Sequence, residues 1–180
     1  MLRTHTCGEL TLKDCGTQVT LAGWLQRSRD LGGMTFIDLR DRYGITQLVF
    51  NMETNSALCE KARTLGREYV LQIKGVVAER SNKNKNIPTG DIEVEVSELV
   101  VLSEAELPPL LIQDKTDALE ETRMRYRYLD LRRPQMQNNL VIRHKTCIAI
   151  RNYFDQLNFV EVETPMLGKS TPEGARDFLV

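Results

Sequence analysis

The stretch RDLGGMTFIDLRDRYGITQLVF, residues 29–50, sets an aromatic ring among charges. Along an extended chain Thr35, Ile37 and Leu39 share one parity, and Phe36, Asp38 and Arg40 share the other. Placing Ile37 and Leu39 in a core therefore turns Phe36 outward. Gln47 can lie near it on the next strand, and Arg27 and Arg29 end the strand before. A ring, an amide and guanidinium groups on one face can hold an unpaired nucleotide. The ring stacks a base at about 1–3 kcal/mol, the amide bonds a base edge, and the arginines take phosphate or stack. The same residues also admit a reading without a ligand, in which Phe36 covers one end of a core and the arginines pair with Asp30, Asp38 and Asp41. Single exposed rings are common.

The elements that position these residues follow from pattern. Residues 19–29 alternate as a strand, LGG at 31–33 is turn chemistry, residues 34–41 form a second strand, and Arg42-Tyr43-Gly44 leads to a third over 45–50. Asn55 or Ser56 caps a helix over about 56–66, with Leu58, Ala62 and Leu65 on its inner face. Strands follow over 69–79 and 92–102, joined by the polar loop RSNKNKNIPTGD at 80–91. Three strands, a helix and two strands is the order of an OB-fold, a small Greek-key barrel. Its fourth-to-fifth-strand loop, here carrying Arg80, Lys83, Asn84 and Lys85, is one that such barrels use on nucleic acid. A mixed α+β sheet is the alternative.

Residues 103–117, with two prolines, break the alternation and read as a linker. ALEETRMRYRYLDLRRP starts as a helix that stops before Pro134, and Pro134 suits the first turn of another helix reaching about Asn158. Leu140, Cys147, Phe154 and Leu157 are spaced for one buried face of it, widened by Val141, Ile148 and Ile150. FVEVETP then reads as a strand. One helix and one strand cannot close a core, so the second domain is expected to be truncated and the chain to be a piece of a longer protein.

The bulk figures bound the partners. The 180-residue chain is 41% hydrophobic, enough for a packed core, and carries a net charge of −1. Residues 1–110 hold 13 Lys/Arg against 15 Asp/Glu, and residues 111–180 hold 11 against 10. Any nucleic-acid site must come from local clustering. Cys7, Cys15, Cys59 and Cys147 form no CxxC pair, which fits reduced thiols in the cytoplasm. His5 and His144 are the only histidines and read as surface or helix-face residues rather than ligands. The N-terminus has no apolar targeting segment, and no run reaches membrane-spanning length.

Three stretches, FIDLRDRYGITQLVF, RMRYRYLDLRRPQM and FVEVETPMLGKSTPEGARDFLV, occur in this order. Together they resemble the N-terminal part of the bacterial aspartyl-tRNA synthetases, a family of class II aminoacyl-tRNA synthetases. The resemblance covers nearly the whole chain. It implies an N-terminal all-β OB-fold barrel with one interstrand helix over 1–103, binding the tRNA anticodon loop. A linker over 104–133 follows, then the truncated start of an α+β class II catalytic domain over 134–180.

On this resemblance Phe36 stacks on the central anticodon base and Gln47 hydrogen-bonds it, with Arg27, Arg29, Arg80 and Asn84 near the anticodon. Leu31 resembles the type specific for the aspartate tRNA, since members that also charge the asparagine tRNA often carry histidine there. The long helix and EVETP resemble motif 1, which builds the homodimer interface, with Pro165 its signature proline. STPEGARDF resembles the loop that closes over the amino acid, and Glu173 matches the residue meeting the ammonium of L-aspartate. The family activates aspartate with ATP and Mg2+ and transfers it to tRNA. Its ATP-gripping motifs are expected beyond Val180, so no catalytic residue and no bound cofactor or metal are expected within this chain. Alternatives are a stand-alone OB module for single-stranded nucleic acid, or a piece of a related lysine or asparagine enzyme.

Overall fold

The computed structural model describes residues 2–165. They belong to two compact units, Met1–Pro109 and Leu110–Val180. In the first, a 3-10 turn (Leu12–Asp14) precedes β1 (Gln18–Asp30), β2 (Met34–Arg40), β3 (Ile45–Asn51), α1 (Ser56–Arg63), β4 (Val70–Glu79) and β5 (Ile92–Ser103). The strands close into a barrel in the order β1-β2-β3-β5-β4, the OB-fold expected from the element order. Closure leaves no long unpaired edge. All pairs are antiparallel except β3 with β5, which run parallel over Gln47–Val49 and Glu93–Glu95. Along β2 buried and half-buried residues alternate, so Thr35, Ile37 and Leu39 face inward and Phe36, Asp38 and Arg40 outward. Leu21, Leu25, Ile37, Leu39, Leu48, Phe50, Leu71 and Ile73 fill the interior.

Strand β1 serves two partners. Gln18–Trp24 pairs with β4, and Trp24–Asp30 with β2. Where it changes partner it passes close to β2, and a Cβ on Gly23 would lie 2.4 Å from the Arg40 carbonyl oxygen. Only glycine fits there without moving backbone. Just beyond, the register slips between Leu25 and Arg27, leaving Gln26 as an extra, bulged residue. Up to Leu25 the odd-numbered positions point inward, with Val19, Leu21 and Leu25 buried. Continued unbroken, that parity would aim Arg27 and Arg29 into the barrel. The bulge reverses it, so Arg27 stands opposite Asp38 and Arg29 opposite Phe36.

Helix α1 is capped by Asn55, whose side chain accepts from the Leu58 amide at 3.0 Å, and it buries Cys59 and Ala62. It ends at Arg63, three residues short of the sequence expectation. At the far end of the barrel, the buried Asp41 carboxylate accepts from Arg3 (3.0 Å) and from the amides of Cys7 (3.0 Å), Tyr43 (2.7 Å) and Gly44 (3.0 Å). This ties the N-terminal arm to the β2–β3 turn.

In the second unit lie α2 (Glu120–Arg125), α3 (Arg127–Asp130) and α4 (Pro134–Gln156), with Pro134 in the first turn as expected. The fully buried Asp130 joins them. Its Oδ1 accepts from Nε of Arg123 (2.9 Å) and of Arg133 (2.7 Å), and its Oδ2 from Arg127 (2.7 Å). The Arg123 hydrogen bonds hold its carboxyl below the usual range, with Arg133 adding to them against the cost of burial. Two expectations fail here. No residue of α4 is buried, and Leu140, Val141, Cys147, Ile148, Ile150, Phe154 and Leu157 are all exposed. FVEVETP is not a strand, because a strand requires a paired neighbour and residues 159–165 have none among the described residues. The apolar spacing marks a face meant for cover, and no described element covers it.

Candidate nucleic-acid interface

Cross-strand register builds two rows on the outside of the barrel. Arg29, Phe36, Val49 and Glu95 form one, from β1, β2, β3 and β5. Arg27, Asp38, Gln47 and Glu93 form the next. Over these rows runs a groove of about 440 Å3, lined by Arg29, Leu31, Met34, Phe36, Gln47, Val49, Asn51, Thr54, Arg80, Ser81, Asn82, Glu93, Glu95 and Val96. Five residues singled out from sequence therefore share one groove: Arg29, Leu31, Phe36, Gln47 and Arg80. Arg27 is exposed and Asn84 sits in the β4–β5 loop, and neither lines it. The Asn84 side-chain oxygen accepts from the Asn86 amide at 3.0 Å, so it shapes the loop. Pro165 closes the described residues, and Glu173 lies outside them.

Phe36 is half-buried, with the Arg29 guanidinium 5.9 Å from its ring centroid. That contact supports one side of the ring and leaves an aromatic surface in the groove. Arg29 also bonds Asp38 at 2.9 Å, so an arginine–aspartate pair coexists with the ring. Of the other aspartates in that alternative reading, Asp30 pairs with Arg63 and Asp41 with Arg3.

Gln47 is 4% exposed and fully oriented. Its Oε1 accepts from Arg29 and from Arg80, each at 2.9 Å, and its Nε2 donates to Glu93 at 2.7 Å. Only the oxygen can face two guanidinium groups and only the nitrogen a carboxylate, so the amide cannot flip. An amide nitrogen carries two protons, and Glu93 takes one. The second N–H has no partner in these three hydrogen bonds. Arg80 is held by its own amide, which donates to the Asp91 carbonyl at 3.0 Å.

Glu93 and Glu95 are the charged groove residues that sequence reading missed. They alternate outward in IEVEVSELVV, but their position beside Gln47 and Val49 depends on the parallel β3–β5 pairing, which no local pattern announces. Two carboxylates in the same lining offset the formal charges of Arg29 and Arg80, so a phosphate chain finds little bulk attraction along the groove. Carboxylates accept hydrogen bonds from base amino groups and repel phosphate.

Residues 19–102 match the family described as OB-fold nucleic acid binding domain, and residues 119–180 match tRNA synthetases class II (D, K and N). The barrel, its groove and these two matches define the class the chain resembles: residues 19–102 are similar to nucleic-acid-binding OB-folds and residues 119–180 to class II tRNA synthetases. Within them its likeness is to bacterial aspartate–tRNA ligases. It is 64% identical to that of Bacteroides thetaiotaomicron and 62% identical to that of Bacteroides fragilis, each over the whole chain. The chain spans 31% of the length of either relative. Among solved structures, asparaginyl-tRNA synthetase from Pyrococcus horikoshii, complexed with asparaginyl-adenylate, matches with a TM-score of 0.77 and 28% identity. That match covers 92% of this chain and 37% of the other.

Proposed function

We propose that the barrel reads the anticodon loop of an aspartate tRNA, as part of an enzyme that joins L-aspartate to that tRNA. The observation that carries this is the groove, where one aromatic ring, one oriented amide and two arginines converge. Aspartate–tRNA ligases that match over the whole chain at 62–64% identity support aspartate as the amino acid. Phe36 stacks the central anticodon base. Gln47 donates its remaining amide proton to that base, with Glu93 fixing its orientation. Arg29 and Arg80 contact phosphate or stack at the rim, with Arg27 and Asn84 further out, and Leu31 stands at the mouth beside the neighbouring nucleotide.

The division follows the same reading. Residues 1–103 recognise RNA, 104–133 link, and 134–180 begin the catalytic domain. The exposed face of α4 and Pro165 meet a second copy of the protein, and Glu173 meets the ammonium of aspartate. The protein works in the cytoplasm. The complete enzyme uses ATP and Mg2+ to form an activated aspartyl group before transfer. Among the described residues no three His, Cys, Asp or Glu side chains gather as metal ligands would, and no step through ATP or magnesium is assigned to this chain.

A titration of the 180-residue chain with RNA hairpins across salt tests the reading. The cognate loop binds more tightly than one with an altered central base. The salt slope is shallow, about −0.7 for each phosphate neutralised, and Arg80→Ala removes about one such step. Equal binding of all hairpins with a steep slope favours a general single-strand module instead.

A further inference from the structure

Arg63 ends α1 outside the groove, and the reading above gives it no part. Its guanidinium crosses to the β1–β2 turn. Nε lies 3.1 Å from Asp30 Oδ2, and Nη2 donates to Asp30 Oδ1 at 3.1 Å and to the Gly32 carbonyl. Nη1 donates to Glu60 at 2.7 Å, which braces the side chain against its own helix. On the other side, Asp30 Oδ1 accepts from the Gly32 amide at 2.9 Å, with Gly32 at a φ of 80°. One carboxylate thus shapes the turn from within and is gripped from α1. Between Asp30 and Gly32 stands Leu31, 72% exposed, at the edge of the groove that holds Phe36. The helix is a firm base, since Cys59 and Ala62 are fully buried and Lys61 donates to the Leu99 carbonyl at 2.9 Å.

We propose that Arg63 is a positioning residue for RNA recognition. It locks the 30–32 turn to α1, so that Leu31 stands fixed at the mouth of the groove before RNA arrives. This rests on the anticodon-loop reading. Without Arg63 the turn keeps its own backbone bonds, Leu31 N–H to the Met34 carbonyl at 2.9 Å and Met52 N–H to the Gly33 carbonyl at 3.0 Å, but loses its tie to α1. The glycines then allow it wider movement, and ordering it on binding costs affinity. A fixed Leu31 also rejects a misfitting nucleotide that a mobile one would accommodate. The clamp therefore acts on discrimination between loops.

The test measures binding of wild-type, Arg63→Ala, Arg63→Lys and Asp30→Asn chains to two hairpins, one with the aspartate anticodon and one with an altered anticodon base. Amide exchange at Leu31 and Gly33 and thermal melting are followed in parallel. If Arg63 acted through charge alone, losing the cation would weaken both RNAs, losing the Asp30 anion would tighten both, and the affinity ratio would hold. A clamp predicts that Arg63→Ala and Asp30→Asn both lower the ratio, by about two- to tenfold, and both speed exchange in the turn. Lysine keeps the charge without the fork, so Arg63→Lys loses part of the ratio and stays informative if the alanine variant melts early. Opposite affinity shifts at an unchanged ratio overturn the role, as does a full ratio in both Arg63→Lys and Asp30→Asn. A wild-type chain that binds both hairpins alike overturns the anticodon reading and this role with it. That failure shows in the wild type, whereas failure of the clamp alone shows only in the variants.

Discussion

Gln47 is the side chain whose chemistry is most tightly specified, because three charged neighbours fix which way its amide points. Gln47→Glu would keep the shape, remove the donor and set a carboxylate against Glu93. The expected outcome is a folded barrel whose cognate-hairpin affinity falls by about 1–3 kcal/mol, the range for one good base-edge contact. Unchanged affinity in the hairpin titration would take Gln47 out of the reading. The cysteines give a second prediction. Cys7 is fully buried, and burial, with the nearby Asp41 charge, pushes its thiol up to about 12. Cys59 is equally buried and contacts the Thr35 hydroxyl at 3.4 Å, while Cys15 and Cys147 are exposed. Alkylation of the native chain at about pH 8, followed by mass spectrometry, should label Cys15 and Cys147 and spare Cys7 and Cys59 until denaturant is added. Rapid labelling of Cys7 would mean that the N-terminal arm does not stay docked.

At the scale of elements, the β1 bulge does what no single residue could. It places two arginines on the outer face of a strand whose earlier half points the same parity into the core. Gly23, at the bend just before it, has no space for a methyl group. Gly23→Ala should cost about 1–3 kcal/mol, read as a lowered melting temperature, because the obstruction is the backbone of β2. The Asp130 junction gives a pH prediction. Its carboxyl titrates below the usual value when folded, so its contribution is present above the unfolded pKa of about 3.9 and is lost as pH falls through the lower folded value. Helical circular dichroism should therefore be insensitive to this group near neutrality and fall only in acid. Asp130→Asn, which leaves three arginines around a neutral amide, should weaken the helical signal at neutral pH. Strand positions, the β2 parity and the Pro134 helix start were legible because each rests on local periodicity or a local backbone constraint. The bulge at Gln26 was not, since a single inserted residue leaves composition and turn signals unchanged. The carboxylates in the groove escaped notice for another reason, because Gln47 and Glu93 meet only through a pairing 46 residues apart. The α4 stripe was read correctly as apolar and wrongly as covered, because periodicity reports which face seeks burial and not what buries it.

The whole molecule shows two contrasting surfaces. The barrel offers a nearly neutral groove in a chain of net charge −1, which suits selection of a particular loop better than capture of any strand. In the other unit α4 exposes a run of aliphatic and aromatic side chains of the kind that marks an interaction surface. The chain should therefore self-associate as its concentration rises in sedimentation, and Ile148→Glu together with Phe154→Glu should abolish this without unfolding the barrel. A clean monomer at high concentration would count against that face as an interface in this chain. No described helix is long and apolar enough to cross a membrane. The gathering of Arg29, Phe36 and Gln47 in one groove was legible because they lie on three successive strands. The carboxylates beside them were not, because their place depends on which strands the barrel brings together.

The most direct measurement of the central claim is a double-mutant cycle between Phe36→Ala and a change of the central anticodon base, read by hairpin binding to the 180-residue chain. Stacking on that base predicts that Phe36→Ala costs about 1–3 kcal/mol with the cognate loop and clearly less with the altered one. An equal loss with both loops, or no loss with either, would contradict the account and make Phe36 part of the barrel's packing.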